Sequence, residues 1–291
     1  MSPETKRSSI AILIVLLIAT GLALAGSQGG HVVNGFPLFA LCVALAFVIQ
    51  WVAFIPAFVF RTEKFYDLTG SITYLTVIVV ALLLSPAIDT RSLLLAGMVA
   101  IWAVRLGSFL FMRIRAAGED RRFREIKQSF ARFLMTWTLQ GLWVAFSLSS
   151  ALAAITSTTR KELDAFAVIG FLVWLFGFGV EVIADSQKSA FNANSANKDK
   201  FIRSGLWSWS RHPNYFGEIV LWIGVMIVAM PILQGWQWAT LISPIFIIIL
   251  LTRISGVPML EKRADEKWGG QPEYEAYKAN TSVLIPMPPK K

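Results

Sequence analysis

Residues 36–60 read FPLFALCVALAFVIQWVAFIPAFVF, 25 consecutive positions without an acid, a lysine, an arginine or a histidine. A helix rises about 1.5 Å per residue, so a run of this length crosses the ~30 Å hydrocarbon core of a bilayer. The same pattern recurs on both sides. Residues 9–26, 69–88, 92–112, 133–155, 164–187, 215–233 and 236–252 are long and apolar enough for the same role, making eight expected spans. The fold class this predicts is an all-α, polytopic membrane helix bundle.

Composition excludes the main alternatives. Of the 291 residues, 55% are hydrophobic and only 15% charged, and mean hydropathy is +0.59. A soluble chain carries roughly 25% charged residues and could not cover this much apolar surface. Disorder, collagen and disulfide scaffolds fail on the same figures. Cys42 is the single cysteine, so an internal disulfide and a thiolate metal cluster are both excluded, and no metal is expected.

The net charge of +9 is read for topology, and no nucleic-acid partner is expected. Of the 27 Lys and Arg, 23 fall in segments on one side of the expected spans. Arg91, Arg160 and Lys161 fall on the other side and Arg105 inside a span. The positive-inside rule then places both termini and the large basic segments in the cytoplasm, which requires an even number of spans. Residues 1–26 also resemble a signal sequence (Lys6 and Arg7, then Ala23-Leu24-Ala25 before Gly26), but the apolar run exceeds a typical signal core. Trp236 and Trp238, in a short link between the last two spans, suit an outer interfacial belt. The basic segment 113–132 divides the chain into an N-terminal part, 1–132, and a C-terminal part, 133–291, the latter expected to bind a cofactor. The polar tail 253–291 reads as one amphipathic helix against the cytoplasmic mouth, ending at Pro286, Pro288 and Pro289.

Ionisable residues within or beside spans are costly and mark sites by default. Arg105 and Asp67, taken singly, fit local pairing or snorkelling. Glu181 and Asp185 are four apart on one helix face, and Glu218 opens the seventh span; three acids at one membrane face among many cations need a reason. The most specific stretch is Lys200 to Glu218, KFIRSGLWSWSRHPNYFGE. Arg203 and Arg211 offer fork-shaped donors for phosphate, and Pro213 suits a first helical position, whose helix N-terminus favours anions. Trp207 and Trp209 offer flat faces for a heteroaromatic ring, and Asn214 and Glu218 share a face suited to a ribose or an amide. An interfacial anchor accounts for the Arg and Trp residues but leaves His212, Asn214 and Glu218 unexplained.

Gly205-Leu206-Trp207, the run Arg211 to Glu218, and the tail from Glu261 through Tyr274-Glu275-Ala276-Tyr277 to Ile285-Pro286 resemble the steroid 5-alpha-reductase C-terminal family, and more narrowly its bacterial membrane branch. The likeness is good from about Gly177 to Pro286 and thinner before that. It implies an all-helical membrane reductase that takes NADPH from the cytoplasm and reduces a carbon–carbon double bond in an enone or sterol-like lipid drawn from the bilayer. It implies cofactor contacts at Asp185, Asn214 and Glu218, with Lys200 and Arg253 at basic positions and Glu261 and Tyr277 in the tail pattern shared with sterol reductases. Glu181 stands where the steroid enzymes have Asn. Arg203, Trp207, Arg211, His212 and Tyr215 complete the expected cofactor set from their own chemistry. The acid that polarises the carbonyl is expected at Tyr66 and Asp67, chosen over Glu63 and Tyr74: a Tyr is a neutral donor, and a buried acid suits proton donation. The alternatives are a lipid or prenyl methyltransferase using S-adenosylmethionine, since isoprenylcysteine methyltransferases share the Arg-His-Pro segment and the tail, and a non-catalytic lipid-binding protein. A bacterial inner membrane is the expected location.

Overall fold

The computed structural model describes residues 2–120 and 122–289. It is 77% helical, with eight helices long and apolar enough to span a membrane. The helices are α1 (Pro3–Gly26), α2 (Leu38–Val59), α3 (Tyr66–Leu84), α4 (Thr90–Ala117), the short α5 (Phe123–Ile126), α6 (Phe130–Thr156), α7 (Ala165–Ala193), α8 (Pro213–Ala229), α9 (Ile242–Ile249), α10 (Gly256–Trp268) and α11 (Pro272–Asn280). Their starts follow local chemistry. Ser2 accepts from the Thr5 amide at 3.2 Å, Asp89 accepts from the Ser92 amide at 2.8 Å, and Pro213 opens α8. Large apolar side chains point outward along the spans, among them Leu17, Val59 and Leu83 at 63%, 67% and 75% exposure. That is the surface of a protein whose solvent is lipid.

Two features differ from the expected pattern. The last span is irregular: a 3₁₀ turn (Gly235–Leu241) leads into α9, a π turn follows at Leu250–Ile254, and α10 begins after Ser255. The tail is two helices, not one amphipathic helix, because Gly269 and Gly270 (φ +79°) turn the chain and Pro272 restarts it as α11.

The chain forms two compact units. The first comprises Met1–Val168 and Val225–Ser243. Its hub is α6, with 83% of its most apolar window buried against 22% for α1, and α1, α2 and α3 pack on it. A polar seam runs inside this unit. Gln50 Nε2 donates to Thr73 Oγ1 at 2.8 Å, Trp51 Nε1 donates to Thr138 Oγ1 at 3.1 Å, and the Tyr74 and Ser147 hydroxyls share a hydrogen bond. At one end, Val32–Val33 pairs antiparallel with Phe36–Pro37 across an Asn34-Gly35 turn with φ +50° and +85°. Arg91, 1% exposed, donates to the Val228 and Glu162 carbonyls at 2.8 and 2.7 Å and pairs with Asp164 at 2.9 Å.

The second unit comprises Ile169–Gly224 and Pro244–Lys291. Within it α7 and α8 approach so closely that only glycine fits at the crossings. A Cβ on Gly177 would lie 2.5 Å from the Leu221 amide nitrogen, and one on Gly224 would lie 2.5 Å from that of Trp174. This contact fixes the register of the acids described next.

Candidate functional site

Glu181 and Asp185 occupy successive turns of α7 and are 2% and 6% exposed; Glu218 on α8 is 7% exposed. The Asn214 amide nitrogen donates to Asp185 Oδ1 at 3.2 Å. Gly217 packs against the Glu181 backbone, where a Cβ would lie 2.6 Å from the Glu181 amide nitrogen, so the turn bearing Glu218 runs beside that bearing Glu181. Four expected residues, 181, 185, 214 and 218, thus come from two helices onto one packed face. Carboxylates are buried only with compensation. A set of accepting carboxylates with one amide suits a vicinal diol or a carboxamide.

A second group lies at the start of α8. His212, 4% exposed, places Nε2 2.7 Å from Glu261 Oε1, and Arg211 Nη1 lies 2.7 Å from Glu261 Oε2. Burial holds the His212 pKa below the ordinary histidine value; Glu261 opposes that shift, while Lys188 and Arg211 add to it. The ring is therefore neutral at pH 7, with Nε2–H donating to Glu261. Its Nδ1 is then the accepting nitrogen and has no hydrogen-bond partner among the described residues. Tyr215 stacks on the imidazole at 5.7 Å between centroids and 11° between planes. Arg211, expected on phosphate, is committed to Glu261.

Trp207 is expected as an open stacking platform but is 3% exposed. Its Nε1 donates to the Ala184 carbonyl at 3.0 Å, and Lys188 Nζ sits 4.4 Å from the ring centroid. Tyr277 donates to the Trp207 carbonyl at 2.6 Å, and burial raises its phenol pKa above the ordinary range. Both residues brace the loop that precedes α8. Lys200, Arg203 and Arg253 are exposed. Arg203 pairs loosely with Glu273 at 3.3 Å, and Arg253 lies in the π turn, a form of backbone frequent at functional sites.

Tyr66 and Asp67 belong to the first unit. The Tyr66 hydroxyl donates to the Thr136 carbonyl at 3.0 Å, its ring packs on Phe123 and Trp137, and Asp67 lies in the field of Arg122 and Arg113.

Sequence reasoning missed Gln187 and Lys188. Gln187 Oε1 accepts from the Leu206 amide at 2.9 Å beneath Gly205, whose φ of +60° lets the chain turn there. Lys188, three residues after Asp185, was marked by helical spacing alone.

The fold and these two clusters define the class: an all-α integral membrane protein with buried acids and an Arg-His-Glu group in its C-terminal unit. Residues 53–281 match the family described as a protein of unknown function (DUF1295), which is steroid 5-alpha-reductase-like, and the chain belongs to it. An uncharacterized protein of Schizosaccharomyces pombe is 22% identical over 226 residues, 67% of this chain and 63% of that protein. A probable O-methyltransferase of Ustilaginoidea virens is 30% identical over 99 residues, 31% of this chain and 35% of that protein. The chain thus matches less than two thirds of the length of each of these relatives. No solved structure matches it.

Proposed function

We propose that this protein is a membrane-embedded reductase that uses NADPH to reduce a carbon–carbon double bond in a conjugated, steroid-like lipid taken from the bilayer. The observation that carries the reading is the Asp185–Asn214 hydrogen bond at 3.2 Å, with Glu181 and Glu218 buried on the same two helices. That set of accepting carboxylates with one amide suits the ribose and carboxamide of a dinucleotide. Lys200, Arg253 and Arg203, the last released from its loose pair with Glu273, are the exposed cations proposed for its phosphates, and the neutral His212, oriented by Glu261, offers an acceptor to an amino or amide group. Bound NADPH supplies hydride. Asp67 supplies the proton, with Tyr66 beside it in sequence. The distribution of cations supports a cytoplasmic cofactor side, and a bacterial inner membrane is the location this reading expects.

A second reading is supported by the relative named a probable O-methyltransferase. S-adenosylmethionine also carries a ribose, and the same acids would hold it; the reaction would then be methyl transfer. Thermal-shift titration of the detergent-purified protein with NADPH, NADH and S-adenosylmethionine separates the readings, because only a bound ligand stabilises the fold. The reductase reading expects NADPH to raise Tm and Asn214→Ala or Glu218→Ala to abolish the shift. A response to S-adenosylmethionine alone replaces it with the methyltransferase. Variants that respond to NADPH like wild type remove the cofactor site, and no response to any of the three removes both enzyme readings.

A further inference from the structure

We infer that the first unit carries a binding site for an anionic phospholipid headgroup where α3 begins and α4 ends. A cavity of about 300 Å³ opens there, lined by Lys64, Phe65, Phe111, Ile114, Arg115 and Gly118. Lys64 and Phe65 immediately precede α3; Phe111, Ile114 and Arg115 lie on the final turns of α4, and Gly118 (φ +80°) closes that helix. The cavity therefore sits at the depth of a membrane–water interface, where lipid headgroups lie.

Its floor is apolar. The Phe65 and Phe111 rings stack at 6.2 Å and 27°, and Phe65 remains 55% exposed. An aromatic ring left open at this depth is suited to the glycerol and first methylenes of a lipid. The rim is cationic. The Arg115 guanidinium carbon lies 6.0 Å from the Phe111 centroid, and Lys64 stands on the other helix end.

Nearby carboxylates do not neutralise these two cations. Glu63 pairs with Lys127 at 2.6 Å, Asp120 Oδ2 accepts from Arg122 Nε at 2.8 Å, and Glu119 Oε1 accepts from Arg124 Nε at 2.8 Å. Among the described residues Lys64 and Arg115 have no carboxylate partner. A phosphodiester with net negative charge completes the site; phosphatidylcholine, which carries its own cation, complements it less well. The same chain thus holds internal ion pairs on one part of this segment and leaves two cations facing a cavity on another. The site is independent of the cofactor reading.

The test is titration of the full-length protein in detergent with phosphatidylglycerol and, separately, phosphatidylcholine, read as Tm shift and as lipid adducts in native mass spectrometry. Phosphatidylglycerol is expected to bind preferentially, with apparent affinity falling about tenfold in the Lys64→Gln/Arg115→Gln double variant. The charge-matched Lys262→Gln/Arg263→Gln variant, altering two exposed cations of α10, is expected to bind like wild type. If the double variant loses stability without lipid, the single variants and Phe65→Ala carry the same comparison. An unchanged preference in every rim variant, an equal loss in the α10 control, or full competition by inorganic phosphate each overturns the site.

Discussion

A Cβ on Gly217 would lie 2.6 Å from the carbonyl oxygen of Gly177, a separation that side-chain carbons do not tolerate. The two glycines set the distance between α7 and α8 and so the distance at which Asn214 meets Asp185. Gly217→Ala is expected to force the helices apart and cost about 1–3 kcal/mol, lowering Tm and, on the reductase reading, weakening NADPH binding together. Gly179→Ala, on the same helix α7 but with nothing within 4 Å of its added carbon, is expected to be neutral or slightly stabilising. Equal effects of the two substitutions would show that helix propensity, and not the close approach, is being measured.

Acid is expected to weaken the protein through His212. Its folded pKa lies below the ordinary value because the ring is buried, so between that folded value and about 6.5 the unfolded chain binds more protons. The His212 contribution is complete above pH ~6.5 and is lost as pH falls toward the folded pKa. His31 acts with the same sign, through burial first and Arg160 second, though more weakly since it is less enclosed. Tm measured from pH 7 to pH 5 should therefore fall, and His212→Gln should flatten the slope more than His31→Gln. An unchanged slope in the His212 variant would place the acid sensitivity elsewhere.

Arg91 ties the start of α4 to the last turn of α8 and to the 157–164 connection through two carbonyls and Asp164. Truncation would leave the two carbonyls without this donor and the Asp164 carboxylate, which keeps the Ala167 amide, without its cation. Arg91→Met is expected to cost about 3 kcal/mol, and Arg91→Lys to recover only part because a single ammonium nitrogen lacks the spread of the two guanidinium nitrogens that reach these acceptors. Thermal unfolding in detergent reads both; a wild-type Tm in Arg91→Met refutes the clamp.

Tyr66 and Asp67 divide structure from chemistry. The Tyr66 hydroxyl is committed to the Thr136 carbonyl, so Tyr66→Phe is expected to lose about 1 kcal/mol of stability. On the reductase reading, Asp67→Asn is expected to slow double-bond reduction about 10²-fold with little change in Tm. Full turnover in Asp67→Asn would remove it as the proton source.

The spans were legible within a few residues because apolar runs of bilayer length leave few alternatives, and Pro213 announced a helix start. The break in the tail was also written in Gly269-Gly270-Gln271-Pro272, a stop followed by a start, although the amphipathic pattern around it reads as continuous. Trp207 shows the limit of composition. A tryptophan beside cations fits an open platform as well as a buried brace, and only its hydrogen bond to the Ala184 carbonyl distinguishes them. Gln187 was invisible because a lone glutamine on a helix carries no spacing signal.

What the amino-acid order determined alone is the kind of protein: with no water in the hydrocarbon to satisfy peptide groups, long uncharged runs must close their hydrogen bonds as helices. Which side chains meet was decided by the tertiary structure. Asn214 reaches Asp185 across 29 positions, and His212 reaches Glu261 across 49. Encounters at such separations depend on how closely and at what rotation helices pack, and the missing Cβ atoms of Gly177, Gly217 and Gly224 set that for α7 and α8.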